Sequence, residues 1–193
     1  MVATVVVNEM TGSGPTYTAI TNRVRLFSDD VATNQSTAQT TNPIVIPSAD
    51  FNYSYWKHVC LDLQGSGFTI TNVRHYSNAD VTATWHMGTS GMLQRGNRDA
   101  GDHGCPVANY TQASGTAGTT GNPIETTHPY YSGQTVKVAD VNSDIAPNGA
   151  TIDSTSHTSA EKTKSVVLQC KIAPNATQGT QTAVTLTWKY DES

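Results

Sequence analysis

Apolar residues along this chain come in short alternating runs, and no helical period persists beyond two turns. Residues 2–7 open with a valine-rich strand pattern that stops at the breaker cluster Thr11-Gly12-Ser13-Gly14-Pro15. Residues 17–27 follow, with Ile20, Val24 and Leu26 as candidate core positions, and residues 29–41 are too polar for anything but a surface loop. Between Pro43 and Pro47 lies a short extended segment suited to a sheet edge. The strongest strand signal is 55–63, where Val59, Leu61 and Leu63 share one face and His58, Cys60 and Asp62 the other. Gly65-Ser66-Gly67 predicts a turn into a strand over 68–76, with Phe68, Ile70 and Val73 as apolar positions. Asn78-Ala79-Asp80 predicts another turn into a strand over 81–86, giving a β-meander.

The middle of the chain breaks this rhythm. Residues 88–133 hold most of the 15 glycines and few apolar residues, so the pattern predicts a long loop excursion, with 134–138 returning to the sheet. Residues 142–164 are polar again, and Ser159-Ala160-Glu161-Lys162 is their one plausible helical turn. Two strands close the chain, 165–172 and 183–190. Their period-2 alternation predicts one buried and one wet face each. The expected fold is all-β, a single antiparallel β-sandwich or jelly-roll-like domain over 1–193 with the excursion at about 88–133.

Composition narrows the class. Only 13% of residues are charged, the net charge is −4, and no run of Lys or Arg occurs. A phosphate-tracking surface needs clustered cations, so nucleic acid is not an expected partner. No apolar stretch reaches the ~20 residues of a bilayer span, so no membrane partner is expected either. The N-terminal run lacks a basic region and a cleavage site, so it reads as a strand rather than a signal peptide. The polarity comes from threonine, serine, asparagine and glycine, a composition of extracellular and virion β proteins. Three cysteines are too few for a disulfide scaffold and read as reduced, buried thiols.

Several groups could carry chemistry. His58-Val59-Cys60 and His103-Gly104-Cys105 form two His-x-Cys pairs, and His58, Cys60, His103 and Cys105 together would make a tetrahedral zinc shell. The one-residue spacing is shorter than usual zinc signatures, so the expectation is no metal, with these four as the candidates. Residues 98–106 gather Arg98, Asp99, Asp102, His103 and Cys105, the ingredients of a cysteine nucleophile, without a family signature around them. The plainer reading is a tight loop with Arg and Asp paired and its glycines at positive φ. Calcium could use Asp29-Asp30, Asp99/Asp102 or Asp140/Asp144, but no EF-hand spacing appears. Asn34, Asn109 and Asn175 head glycosylation triplets, which matter only in a glycosylating host. Tyr53, Tyr55, Trp56, Tyr130 and Tyr131 could stack on sugars or lid a core. No catalytic residue or cofactor is expected, and the chain reads as a structural or binding module, not an enzyme.

In overall character the chain resembles the small β-rich virion structural proteins of tailed bacterial or archaeal viruses, of the capsid decoration or cement type. The likeness rests on the threonine- and glycine-rich β pattern, the long excursion, the 96–106 stretch and the closing run Thr185-Leu186-Thr187-Trp188-Lys189-Tyr190. It implies a virion location and an assembly role through contacts with copies of itself and with a major capsid or other virion protein. The alternatives are an extracellular or cell-surface glycan-binding β-sandwich, and a metal-dependent enzyme or zinc-stabilised domain built on His58, Cys60, His103 and Cys105.

Overall fold

The computed structural model of the chain describes residues 2–21, 23–31, 40–144 and 149–193. Its strands in chain order are β1 (Thr4–Thr11), β2 (Thr16–Ala19), β3 (Asn52–Tyr53), β4 (Lys57–Ser77), β5 (Met92–Gly96), β6 (Gly115–Thr116), β7 (Thr120–Gly121), β8 (Val138–Asp140), β9 (Ala150–Asp153), β10 (His157–Lys162), β11 (Val166–Ile172) and β12 (Leu186–Glu192). Two short helices, α1 (Val81–Trp85) and α2 (Ile124–Thr127), interrupt them. The fold is all-β and antiparallel, with a ten-stranded sheet and a two-stranded one in a sandwich-like arrangement.

The 21-residue β4 is the spine. One edge of it pairs first with β1 (Met10 opposite His58 through Thr4 opposite Gln64) and then with β12. Its other edge takes β11, β10 and β9 in succession. The turn expected at Gly65-Ser66-Gly67 does not form. There β4 advances four residues, from Ser66 to Ile70, while β10 advances two, from Ser159 to His157, so the glycines make a bulge. Gly65 and Gly67 take φ of 98° and 76°, which a side chain would resist. The bulge lets one strand continue where a turn would have reversed it.

Further expectations fail. Residues 81–86 are not a strand: α1 forms because the Thr84 N–H and hydroxyl both bond the Asp80 carbonyl, while Asn142 caps the Val81 N–H at 2.8 Å. The predicted meander is therefore absent, and the second half of β4 pairs with β12 and β9 instead. Ser159–Lys162 lies in strand β10, not in a helical turn. The 88–133 excursion contains β5, an interior strand between β11 and β8 whose Leu93, Gln94, Arg95 and Gly96 are buried. Of the predicted 17–27 strand only β2 forms, although Ile20, Val24 and Leu26 do pack against the core. Residues 43–47 form no strand, and residues 32–39 of the expected loop, with Asn34, lie outside the described residues.

β11 was expected to keep one wet face. Instead Val166 to Cys170 are all buried, because one face meets the main core with Val59, Leu93 and Ile152. The other meets a smaller cluster of Tyr55, Trp56, Cys105, Ile124, Tyr131 and Val167. Tyr55, Trp56 and Tyr131 are thus core residues and not a sugar-stacking surface. Cys60, Cys105 and Cys170 are all buried and unbridged.

His75 of β4 is buried edge-on to Trp188 with ring centroids 5.1 Å apart. Burial, aided by Arg95, pushes its pKa down to about 3. The folded state therefore prefers the neutral ring, and the unfolded chain binds the extra proton below its ordinary value of 6.5. Stability should be full above pH 6.5 and fall toward pH 3, by about 1.4 kcal/mol per pH unit from this residue. Urea melts of chelator-treated protein across that range should show the slope reduced by this amount in His75→Phe. An unchanged slope would mean that His75 is protonated in the folded state.

Candidate metal centre

Three donor side chains from distant parts of the sequence meet in the smaller cluster. The ligand atoms of His58, Cys105 and His128 all lie within 4.8 Å of one another. The three residues are 1%, 0% and 0% exposed.

His58 is placed by β4 at the point where β1 and β11 flank it, opposite Met10 on one side and Val167 on the other. Cys105 is set by an isolated antiparallel bridge to Ser165, with N···O distances of 2.8 Å both ways. Its neighbour Gly104 lies against the Ile152 carbonyl so closely that a Cβ would come within 2.4 Å. Asp102 anchors the same loop by accepting bonds from Ser154, just after β9, and from Lys164, between β10 and β11. His128 follows α2, donating its N–H to the Ile124 carbonyl at 3.2 Å. Pro129 bars His128 from continuing the helix, so it turns extended, with ψ at 115°.

Gln169 of β11, fully buried, holds α2 in place. Its side-chain oxygen accepts the Ile124 N–H at 3.0 Å, and its amide donates to the carbonyls of Ser54 and Asn122 at 2.8 Å each. Rings close the remaining space. Tyr110 lies 4.7 Å from His58, and Trp56 and Tyr131 lie 5.2 and 5.0 Å from His128. Tyr131 sits on Gly96, where a Cβ would meet its ring at 2.5 Å.

The two histidines face each other through Nε2, 3.1 Å apart. His58 Nδ1 lies 2.9 Å from the Ser165 hydroxyl, which donates onward to the Cys105 carbonyl at 3.1 Å. Without a metal, His128 Nδ1 accepts the Tyr130 N–H, which puts the His128 proton on Nε2, shared with His58. Ligation through Nε2 would need the proton on Nδ1, the nitrogen that the Tyr130 N–H faces at 3.3 Å, so Tyr130 would have to turn away. His58 keeps its Nδ1 proton toward Ser165 in both states. Burial holds His58 well below its usual pKa, with His128 adding to the effect, and burial takes His128 down to about 4. Both rings are therefore neutral donors at neutral pH. The Cys105 thiol is pushed up to about 12 by burial, against the pull of Arg98, and would lose its proton to a bound metal.

Of the four sequence candidates, the structure brings His58 and Cys105 together and leaves out the other two. Cys60 shares a strand face with His58 but lies about 6.6 Å further along it at the Cα. Its surroundings are Lys162 and Asp62. His103 accepts the Arg98 N–H at 3.3 Å, and its carbonyl takes the Tyr131 hydroxyl at 2.8 Å, so it braces the loop. The third donor, His128, has no neighbouring Cys or His to mark it; the only sequence cue is a histidine before proline. The carboxylates considered for calcium are spent locally. Asp29, Asp30, Asp99 and Asp140 accept bonds from nearby main-chain N–H groups, and the side chain of Asp144 lies outside the described residues.

Comparison with protein-family models, characterised proteins and solved structures returns no match. The chemistry must be read from the site itself. The expectation that this chain is not an enzyme does not hold, because a buried thiol and two neutral imidazoles converge on one point. That donor set can hold a transition metal, and three protein ligands are the usual complement of a catalytic zinc.

Gln169 gives a direct test of how the site is supported. Gln169→Leu leaves the Ile124 N–H and the Ser54 and Asn122 carbonyls without their partner, and should destabilise the protein by about 2–3 kcal/mol in urea titration. A loss under ~0.5 kcal/mol, the range of neutral surface changes, would show that α2 is held by packing alone.

Proposed function

We propose that this chain is a metal-dependent β domain in which His58 Nε2, Cys105 Sγ and His128 Nε2 bind one Zn²⁺. The observation that carries the proposal is the convergence of the three donor atoms within 4.8 Å inside the core. Zinc bonds nitrogen at ~2.0–2.1 Å, so two imidazoles on a tetrahedral ion sit about 3.3 Å apart, and on a trigonal one about 3.5 Å. The 3.1 Å between the Nε2 atoms lies nearer the tetrahedral value. Of the outer partners, His58 has the Ser165 hydroxyl, whereas His128 Nδ1 faces the Tyr130 N–H and would need that amide to move.

The chemistry supplied by such an ion is Lewis acidity and a lowered pKa for a bound water. This reading is preferred to capsid decoration and to glycan binding because it has named atoms at measured distances behind it. Part of the excursion that suggested an assembly loop is built into the sheet as β5.

The test is metal stoichiometry. Protein stripped with a chelator and reloaded should retain one zinc per chain by elemental analysis, with a stability gain on loading. His58→Ala, Cys105→Ala and His128→Ala should each lose it, whereas Cys60→Ala and His103→Ala should keep it. Retention by all three ligand variants would sink the assignment. An intense blue absorption on copper loading, with zinc bound only weakly, would reassign the ion to copper.

A further inference from the structure

Strand β12 pairs with β4 and with no other strand among the described residues. Leu186, Trp188 and Tyr190 pack against the core clusters, whereas Lys189 and Asp191 are exposed. Main-chain bonds at its two ends fix which of its groups point at β4. The Ser193 N–H donates to the Thr69 carbonyl at 3.0 Å, the Thr69 N–H returns a bond to the Ser193 carbonyl at 2.9 Å, and the Thr185 carbonyl accepts the Asn78 N–H at 3.1 Å. Alternation between these ends turns the odd-numbered residues toward β4 and the even-numbered ones away from it. The N–H and carbonyl groups of Leu186, Trp188, Tyr190 and Glu192 therefore face outward along a free edge. No hydrogen bond among the described residues occupies them.

An open edge is a template for another strand, and natural edges are commonly blunted by being short or bulged. β2 and β8, at the ends of the main path through the sheet, have only four and three residues. β12 has seven and carries no bulge of its own. From Lys189 to Asp191 it advances two residues while β4 advances three, from Arg74 to Thr71, so the irregularity belongs to β4, where Asn72 takes φ 54°. The sequence of this edge is complementary to itself. Two antiparallel copies that bond through their even-numbered residues must have an even-numbered residue on the two-fold axis. With Tyr190 on the axis, Tyr190 meets Tyr190, Trp188 meets Glu192, and Lys189 meets Asp191 on both sides. The Lys–Asp pairs then fall at positions without main-chain bonds, where opposing side chains lie closest. Asp191 gives one oxygen to Asn72 at 2.7 Å and keeps the other, and Lys189 has no ion-pair partner among the described residues. With Trp188 on the axis, Lys189 would face Thr187 instead, so the charges select the register centred on Tyr190.

We propose that β12 is a docking edge for a second copy of this chain, joined antiparallel about Tyr190 so that the main sheet continues across the two-fold axis. Main-chain bonds supply the attraction, and the two Lys189–Asp191 contacts set the register, because like charges in opposing positions repel even where opposite ones add little. An interface built on so few residues is small, so the dimer is reversible. The proposal does not rest on the metal reading: His58 lies at the start of β4, and β12 lies along its second half.

The experiment is analytical ultracentrifugation of the full, chelator-treated chain from micromolar to millimolar concentration at low salt. The wild type should show a reversible monomer–dimer equilibrium. K189E and D191K, both at exposed positions, should each weaken it roughly tenfold, since each turns two attractive contacts into two repulsive ones. An equimolar mixture of the two variants should recover dimer of about wild-type strength, because each copy then carries the charges that its partner lacks. A wild type that stays monomeric throughout, a dimer indifferent to both substitutions, or a mixture that associates no better than its components would each overturn the proposal.

Discussion

The structure depends on one strand being paired along both edges for most of its length. β4 meets β1 and β12 on one side and β11, β10 and β9 on the other, so its first residues are enclosed in the sheet and buried on both faces. Side chains there cannot choose water, and each must be apolar or find a partner. Val59, Leu61 and Leu63 satisfy this by packing. Lys57 does so through Glu9 at 2.9 Å, both groups fully buried, with the ammonium 4.9 Å above the Phe27 ring. Burial raises the Glu9 pKa although Lys57 draws it down. Such a pair adds little net stability against apolar residues, but breaking it strands a charge, and so it penalises a slipped β1–β4 register.

His58 inherits the same confinement on the opposite face, and its environment follows from β11. Ser165 at the start of β11 receives the His58 ring and bridges Cys105, while Gln169 four residues on fastens the turn that carries His128. One strand thus sets the positions of all three donors. The polar groups it uses are saturated by main-chain partners, which is the condition under which a buried network is rigid.

This arrangement explains what could be read from the chain. Strands β1, β11 and β12 and the start of β4 showed in the alternation, because period-2 patterning is local. Gly65 and Gly67 misled, since a bulge and a turn use the same residue; only the pairing of β10 across Ser66 separates them. β5 was hidden because Gln94 and Arg95 are polar, yet they are buried between β11 and β8. At α1, a tertiary cap from Asn142 outweighed the strand preference of Val81. Two of the three donors, His58 and Cys105, were visible in the His-x-Cys pairs. The pairs pointed to the wrong partners, because an i, i+2 spacing on a strand puts both residues on one face but not at one point. His128 reaches the site only through the Gln169 clamp and the Pro129 stop, a three-dimensional relation with no local signature.

Placing donors inside the core changes what a metal would do. Neutral imidazoles and a protonated thiol can be buried without an ion, since the His128–His58–Ser165 chain satisfies the rings and the Cys105 thiol lies 3.4 Å from the Asn109 carbonyl. The fold is therefore not obliged to bind metal to avoid stranded polar atoms, unlike a domain that folds only around its zinc. A bound ion would replace one shared proton between the rings and the thiol proton of Cys105, leaving the outer hydrogen bond to Ser165 intact. Preorganisation of this kind lowers the cost of binding, because strands rather than loops hold His58 and, through Ser165, Cys105. It also leaves the fourth position with no histidine, cysteine or carboxylate to fill it among the described residues.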